Sequence, residues 1–123
     1  MMWMLLVDAA NVIGSRPTGW WRDRPGAARR FAEEVRGCVR DGRLESPVVL
    51  VVEGRARAGV EEGDVDGVRV VHATGEGDDA IVAIAADHRG AVVVTADRAL
   101  AQRVRAVGGE VRGPRWLLDR LGS

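Results

Sequence analysis

The sequence predicts an α/β fold, a three-layer α/β/α sandwich with a mainly parallel central sheet. Short apolar runs rich in Val alternate along the chain with stretches whose apolar residues recur at helical spacing. The runs are continuous in hydrophobicity, which is typical of parallel strands that helices cover on both faces. A chain of 123 residues has the length of a single domain, residues 1–123, that can bury a core.

The first predicted elements are a strand, a loop and a long helix. The strand covers residues 2–7, and its apolar run ends at Asp8. A loop rich in Gly and Pro is expected over residues 11–24. Pro25 suits the first turn of a helix, so we expect a helix from there to about Arg40, where a glycine soon follows.

The middle of the chain predicts two further strands and a second helix. Residues 48–52 are uninterrupted and β-branched or aliphatic, which indicates a buried strand. Residues 54–67 are rich in Gly and acids and read as a solvated loop with at most a short helical turn. A third strand is expected over residues 68–71, and a helix over residues 78–87.

The last third of the chain continues the alternation. A fourth strand is predicted over residues 91–95, a helix over residues 98–107 and a short strand over residues 110–112. Pro114 opens a last helix. The crossovers should be right-handed, and we expect the five predicted strands to lie in the order 3-2-1-4-5.

Charge and composition exclude several classes of partner and chemistry. The formal net charge is zero, so the chain has no overall basic field, although residues 16–43 are basic and residues 60–79 are acidic. Lys is absent, which removes a lysine phosphate clamp or Schiff base and leaves Arg for bidentate phosphate contacts. The glycine-rich phosphate loops and CxxC motifs of other families are absent from the sequence.

Cysteine content and hydropathy bear on the cellular compartment. The lone Cys38 rules out an internal disulfide framework and fits a reducing environment, and its spacing places it on the inner face of a helix. The apolar run over residues 1–7 is too short to span a membrane and lacks a basic leader. We therefore expect a cytoplasmic protein with no membrane partner.

Acidic residues fall at the ends of predicted strands and the starts of predicted helices. Asp8 and Asp97 follow the first and fourth strands, and Asp78 and Asp79 open a helix. In a parallel sheet these positions gather at one edge, beside the point where the strand order reverses. Carboxylates crowded together repel one another unless a cation lies between them. The sequence thus predicts a divalent-metal site and phosphoryl chemistry.

Each acidic motif also has a purely structural interpretation. Asp8 could close its strand with an Asx turn, and Asp97 could cap the following helix. One acid at the start of a helix is ordinary capping chemistry, but Glu76, Asp78 and Asp79 exceed what capping needs. The three motifs together favour the metal site because the predicted topology brings them to one place.

Three short motifs carry a resemblance to a known family. They are Asp8-Ala9-Ala10-Asn11-Val12, Asp78-Asp79-Ala80-Ile81 and Val94-Thr95-Ala96-Asp97-Arg98. In order and spacing they resemble PIN-like nucleases of the NYN domain group, close to its YacP-like branch. The resemblance spans most of the chain and implies one PIN-like NYN domain with metal-dependent ribonuclease activity.

The resemblance also implies roles for particular residues. Asp8, Asp78 and Asp97 would hold Mg²⁺ or Mn²⁺, and Asn11 and Asp79 would support them in catalysis. Two positions depart from the family pattern. Glu53-Gly54 stands where Asp-Gly is frequent, and Ala96 replaces a residue that often carries a hydroxyl, which removes one donor. Whether Glu53 and Glu76 take part is left open.

A segment rich in Trp and Arg follows the first acidic motif. Trp20 and Trp21 could stack on unpaired bases, and Arg16, Arg22, Arg24 and Arg98 could contact phosphates. The alternative is that the Trp pair packs on the fold as a lid or forms a homodimer contact.

The favoured function is a metal-dependent endoribonuclease that cleaves single-stranded or structured RNA. One alternative is a non-catalytic RNA-binding or assembly module with the same fold, and another is a small nucleotide phosphohydrolase. A receiver domain shares the expected strand order but needs a Lys that this sequence lacks.

Overall fold

Six strands form one sheet at the centre of the structure, a computed structural model that describes residues 3–122. The strands are β1 (Leu5–Asp8), β2 (Val48–Val52), β3 (Gly63–Val65), β4 (Val68–His72), β5 (Val92–Val94) and β6 (Glu110–Arg112). Their order is β3-β4-β2-β1-β5-β6, and all neighbours are parallel except β3 and β4. The predicted order of the five parallel strands is confirmed.

Helices cover both faces of the sheet. They are α1 (Ala9–Gly14), α2 (Arg24–Arg40), α3 (Gly77–Asp87), α4 (Arg98–Ala106) and α5 (Pro114–Leu121), with short 3₁₀ helices at Trp20–Arg22 and Gly54–Gly59. Buried side chains of α1, α2 and α5 share one core cluster, and those of α3 and α4 share another. The predicted three-layer sandwich is therefore confirmed.

Successive side chains of β1 pack alternately into the core clusters on the two faces of the sheet. Leu5 and Val7 face the cluster that contains α1 and α2, whereas Leu6 faces the cluster that contains α3 and α4. All three are fully buried. Burial of each such side chain contributes about 1.5–3 kcal/mol relative to exposure, which explains why the central strands have no polar face.

Helix α2 begins and packs as its sequence predicts. The Asp23 side chain caps it by accepting a hydrogen bond of 3.0 Å from the Gly26 backbone N–H, and Pro25 occupies the first turn. Cys38 is buried on its inner face, and its Sγ donates to the Arg120 carbonyl at 3.3 Å. The interpretation of Cys38 as a small buried side chain is confirmed.

The predicted loop over residues 11–24 is wrong at its start. Residues 9–14 form α1 because Asp8 caps this turn and Val12 and Ile13 bury themselves in the core. The sequence obscures this helix because it is only six residues long and runs into Gly14 and Pro17.

Residues 54–67 contain more structure than the predicted loop. The short helical turn is present at Gly54–Gly59, but Gly63–Val65 forms the edge strand β3, which pairs antiparallel with β4. Its three residues are exposed and two lack β propensity, so pairing with β4 rather than its own pattern stabilises it. Other boundaries differ by one or a few residues: β1 starts at Leu5, and the predicted residue 2 lies outside the described residues.

Among residues 3–122, no helix has both the length and the apolar character that a crossing of the bilayer requires.

Candidate active site at the carboxyl edge of the sheet

Asp8 is a buried carboxylate at the carboxyl end of the central strand β1. It is only 5% exposed, although it has no cationic partner among the described residues. Its Oδ1 accepts a long hydrogen bond of 3.4 Å from the Asn11 backbone N–H, and its Oδ2 accepts one of 2.9 Å from Thr95 Oγ1. Two hydrogen bonds, rather than a salt bridge, therefore hold this carboxylate.

The protonation of Asp8 reflects its surroundings. Burial is the main cause that raises its pKa from 3.8 to about 6, since the charged form loses hydration. The hydrogen bonds from Thr95 and Asn11 lower the pKa, and the nearby charges of Asp78 and Glu53 raise it further. An acid perturbed in this way at the edge of a parallel sheet is a candidate functional residue.

Thr95 connects the two central strands at this edge. It is buried, and besides donating to Asp8 its Oγ1 accepts a hydrogen bond of 3.1 Å from the Asp97 backbone N–H. A parallel link lies beside it, where the Ala96 N–H donates to Asn11 Oδ1 at 2.8 Å. The Asp8 and Asp97 motifs are thus fixed together, as predicted from the strand order.

Thr95 was missed among the candidate site residues. Its signal was its place as the polar residue that ends the otherwise apolar run over residues 91–95. The hydroxyl that the sequence lacks at Ala96 has a counterpart one residue earlier, on the side chain that reaches Asp8.

Asp97 has a structural role that the sequence also suggested. Its Oδ1 accepts a hydrogen bond of 3.1 Å from the Leu100 N–H and so caps α4. The side chain is half-buried, and the cap uses only one of its two carboxylate oxygens among the contacts of residues 3–122. Capping and ligand binding are therefore compatible at this residue.

The acids at the start of α3 separate into different environments. Asp78 is half-buried and close enough to Asp8 to affect its pKa. Asp79 is 85% exposed at its side chain and forms a salt bridge of 2.9 Å with Arg103 of α4. Glu76 is exposed just before the helix. Asp78 is the acid of this motif that faces the candidate site.

Glu53 joins the site from the end of β2. Its carboxylate lies against the start of α3, because a Cβ placed on Gly77 would be 3.1 Å from Glu53 Oε1. Its charge also raises the pKa of Asp8. Within residues 3–122 the Glu53 side chain has no hydrogen bond or ion pair. A carboxylate without a partner in this position is available to a ligand.

The oxygen atoms of these acids are suitable ligands for a hard divalent cation. Asp8, Glu53 and Asp78 offer carboxylate oxygens, which Mg²⁺ and Mn²⁺ prefer. In the part of the chain that the structure describes, no three acidic, His or Cys side chains are arranged to hold an ion as they stand. Convergence of Asp8, Asp78 and Asp97 on one metal therefore stays a prediction that requires side-chain rotation.

The two tryptophans beside the site differ in exposure. Trp20 is half-buried and packs on the core, whereas Trp21 is 56% exposed, with the ring centroids 6.0 Å apart at right angles. Arg24 lies over the Trp20 ring at 5.3 Å, and Arg22 over the Trp21 ring at 5.7 Å. Trp21 is the residue of this pair that presents an open aromatic surface.

The predicted phosphate contacts also fall into two groups. Arg16 is engaged in a bidentate pair with Glu34, at 2.8 and 3.0 Å, and its side chain is only 17% exposed. Arg98 is exposed and lines a polar groove of about 400 Å³ that also includes Asp97 and Arg105. Arg98 is thus placed beside the site, whereas Arg16 is committed to helix α2.

Two solved structures share this arrangement of strands and helices. The crystal structure of Rae1 (YacP) from Bacillus subtilis superposes with a TM-score of 0.74 at 19% identity, covering 98% of this chain and 74% of that one. A tryptophan-to-leucine variant of the same protein gives a TM-score of 0.70 at 19% identity, with coverages of 98% and 76%. The fold is YacP-like.

No model of a protein family matches the chain, and no curated protein matches its sequence at a significant level. The YacP-like fold expected from the three motifs is therefore established, while membership of the NYN group stays a prediction.

Proposed function

We propose that this protein is a metal-dependent endoribonuclease that cleaves RNA at the edge formed by Asp8, Asp78 and Asp97. The observation that carries the proposal is the buried Asp8 carboxylate, held by Thr95 and flanked by the acids Asp78 and Glu53. Burying and crowding acids costs stability, and a bound cation would offset that cost. The three motifs that resemble NYN nucleases contain Asp8, Asp78 and Asp97.

Residues of the chain would hold the metal ion and orient the substrate. A bound Mg²⁺ or Mn²⁺ would supply an activated water and would stabilise charge on the scissile phosphate. Asp8 would carry the negative charge needed to hold the ion once the pH exceeds its pKa of about 6. Thr95 orients the Asp8 carboxylate, and Asn11, whose Oδ1 is occupied by the Ala96 N–H, has its amide NH₂ left to donate to a phosphate oxygen.

RNA fits the surface around these acids better than a small nucleotide does. Trp21 presents an exposed ring in the 3₁₀ helix before α2, and Arg98 and Arg105 line a polar groove that includes Asp97. Aromatic faces bind unpaired bases, and Arg side chains bind phosphates. An extended strand would contact both features, whereas a mononucleotide would contact one.

A non-catalytic RNA-binding module is the second candidate. It is favoured by the lack, within residues 3–122, of three ligand side chains already arranged around a metal position. In that case the Trp and Arg residues would bind RNA and the acids would have no catalytic role.

The deciding experiment is incubation of the protein with mixed single-stranded and structured RNA in Mn²⁺ or Mg²⁺, with and without a chelator. We expect cleavage that requires the metal and that Asp8→Asn abolishes. Asp64→Asn, on the exposed strand β3, is the matched control and should cleave like the unaltered protein. Metal-independent cleavage, or cleavage by Asp8→Asn at the unaltered rate, would contradict the proposal, and RNA binding without any cleavage would support the second candidate.

A further inference from the structure

A pocket of about 230 Å³ opens beside the acidic edge, between α1, α2 and the 3₁₀ helix at Gly54–Gly59. Its apolar lining includes Ile13, Trp20, Ala27 and Ala56, and two charged side chains, Arg24 and Glu53, also line it. The volume is smaller than the roughly 300–1,000 Å³ usual for pockets of drug-sized ligands, so it suits a flat fragment.

The pocket is built from closely packed parts of the fold. The 3₁₀ helix approaches the start of α2 so closely that a Cβ on Gly59 would overlap the Pro25 carbonyl. Trp20 packs over the end of α1, where a Cβ on Gly14 would lie 3.5 Å from its ring. The walls are therefore fixed by packing before any ligand arrives.

Chemistry inside the pocket matches an aromatic ligand that donates hydrogen bonds. Trp20 supplies a large ring, and the Arg24 guanidinium lies 5.3 Å from its centroid. Glu53 has no hydrogen bond or ion pair within residues 3–122, and its Oε1 lies against Gly77 at the start of α3. Its carboxylate would turn toward the pocket that it lines to accept hydrogen bonds there. The same Glu53 lies near Asp8, which places the pocket next to the candidate active site.

We infer that this pocket binds one unpaired guanine of the RNA and so selects where the strand enters the active site. Guanine presents two adjacent N–H donors, from N1 and the exocyclic amino group, which match the two oxygens of Glu53. Adenine, cytosine and uracil present a single donor group on the corresponding edge. Base stacking against Trp20 would add affinity without choosing among bases.

The inference rests on the proposed binding of RNA, but its test does not require cleavage. Pentauridylate and its three variants with a central G, A or C are titrated into the whole protein in EDTA, with binding followed by fluorescence anisotropy. The four ligands carry the same phosphates, so differences among them report the base. We expect the central-G ligand to bind at least roughly fivefold more tightly than the others, the lower end of discrimination by a bidentate contact.

Two variants separate reading of the base from stacking. Glu53→Gln should abolish the preference for G, so that in EDTA the central-G ligand and pentauridylate bind this variant with the same affinity. Trp20→Phe keeps an aromatic ring and should retain the preference, whereas Trp20→Ala should lose roughly tenfold in affinity for the central-G ligand. Melting curves show whether each variant is folded, and Glu53→Gln carries the test if Trp20→Ala is not.

The outcomes distinguish the guanine pocket from the proposed nuclease activity. Equal binding of the four ligands, or a preference for G that survives in Glu53→Gln, would overturn the guanine pocket. A preference for G in a protein that never cleaves RNA would leave the pocket standing and count against the nuclease. If Glu53 serves only as a partner of the metal, Glu53→Gln would leave binding in EDTA unchanged, and the pocket would be refuted.

Discussion

Thr95 Oγ1 donates a hydrogen bond of 2.9 Å to Asp8 Oδ2, joining two buried side chains at the ends of neighbouring parallel strands. The same hydroxyl accepts from the Asp97 N–H at 3.1 Å. One oxygen atom thereby fixes both the Asp8 carboxylate and the backbone of Asp97. The pKa of that carboxylate is raised to about 6, mainly by burial. The relationship makes Thr95 a positioning residue for the proposed site.

Replacing Thr95 with Val should damage both stability and activity. The change leaves the buried Asp8 Oδ2 and the Asp97 N–H without their partner, which costs about 1–3 kcal/mol in the free energy of unfolding. It should also raise the pKa of Asp8, because the Thr95 hydrogen bond lowers it. Urea denaturation and the pH profile of RNA cleavage measure the two effects. Thr95→Ser keeps the hydroxyl and should restore both, and a Val variant with an unaltered pH profile would contradict this role.

Asp8→Asn should change the dependence of stability on pH. The folded protein holds the Asp8 proton more tightly than the unfolded chain does, since burial raises the pKa from 3.8 to about 6. The unaltered protein therefore loses stability as the pH rises from about 4 to about 6, and Asn does not titrate. The stability of the variant relative to the unaltered protein should increase by roughly 2–3 kcal/mol between pH 4 and pH 7.5. Urea titrations at the two pH values measure it.

Asp64→Asn is a control in which the free energy of unfolding should depend on pH in the opposite direction. The hydrogen bond from Arg69 lowers the pKa of the Asp64 carboxyl, so this group stabilises the fold at neutral pH and loses its contribution as the pH falls. The side chain is exposed, and the effect should be small. If Asp8→Asn behaves like Asp64→Asn, burial does not dominate the protonation of Asp8.

Asp97→Asn should abolish metal-dependent cleavage and preserve the fold. Asn is as good an N-cap as Asp, so the hydrogen bond from the Leu100 N–H can persist and the melting temperature should hold or rise. Asp97→Ala removes the cap and should cost about 1 kcal/mol as well as activity. Cleavage assays beside melting curves separate the two roles. Cleavage by Asp97→Asn at the unaltered rate would remove this residue from the proposed metal site.

The two tryptophans should respond differently to truncation. Trp21→Ala should weaken binding of single-stranded RNA by about 1–3 kcal/mol without lowering the melting temperature, since the ring is exposed. Trp20→Ala should lower the melting temperature, because this ring packs on the core. RNA titrations, melting curves and sizing runs are compared for both. Unaltered affinity of Trp21→Ala together with loss of a dimer would assign Trp21 to an interface between copies.

The sequence predicted the parallel part of the sheet because its strands carry their own signal. Residues 48–52 are apolar throughout, and a strand buried on both faces allows no other pattern. The edge strand Gly63–Val65 has no such signal, since it is exposed and is stabilised by pairing with β4. Helix α1 was hidden for a related reason: one and a half turns are too few to show a period.

The location of the candidate site was predictable from the sequence, but most of its side-chain contacts were not. Asp8 ends β1 and Asp97 follows the neighbouring strand β5, as the predicted order of strands required. Two other candidate site residues form salt bridges with residues that are distant in sequence. Arg16 pairs with Glu34, and Asp79 pairs with Arg103. Such pairings depend on how helices pack, which no local pattern encodes.

The most direct test of the central claim is calorimetric titration of the protein with Mn²⁺ at pH 7.5 and pH 5, beside Asp8→Asn and the control Asp64→Asn. We predict binding at pH 7.5 that weakens markedly at pH 5, because protons compete for Asp8 below its pKa of about 6. Asp64→Asn should bind Mn²⁺ like the unaltered protein, and Asp8→Asn should not bind it. Absence of binding at pH 7.5, or equal binding by Asp8→Asn, would contradict a metal site built on Asp8.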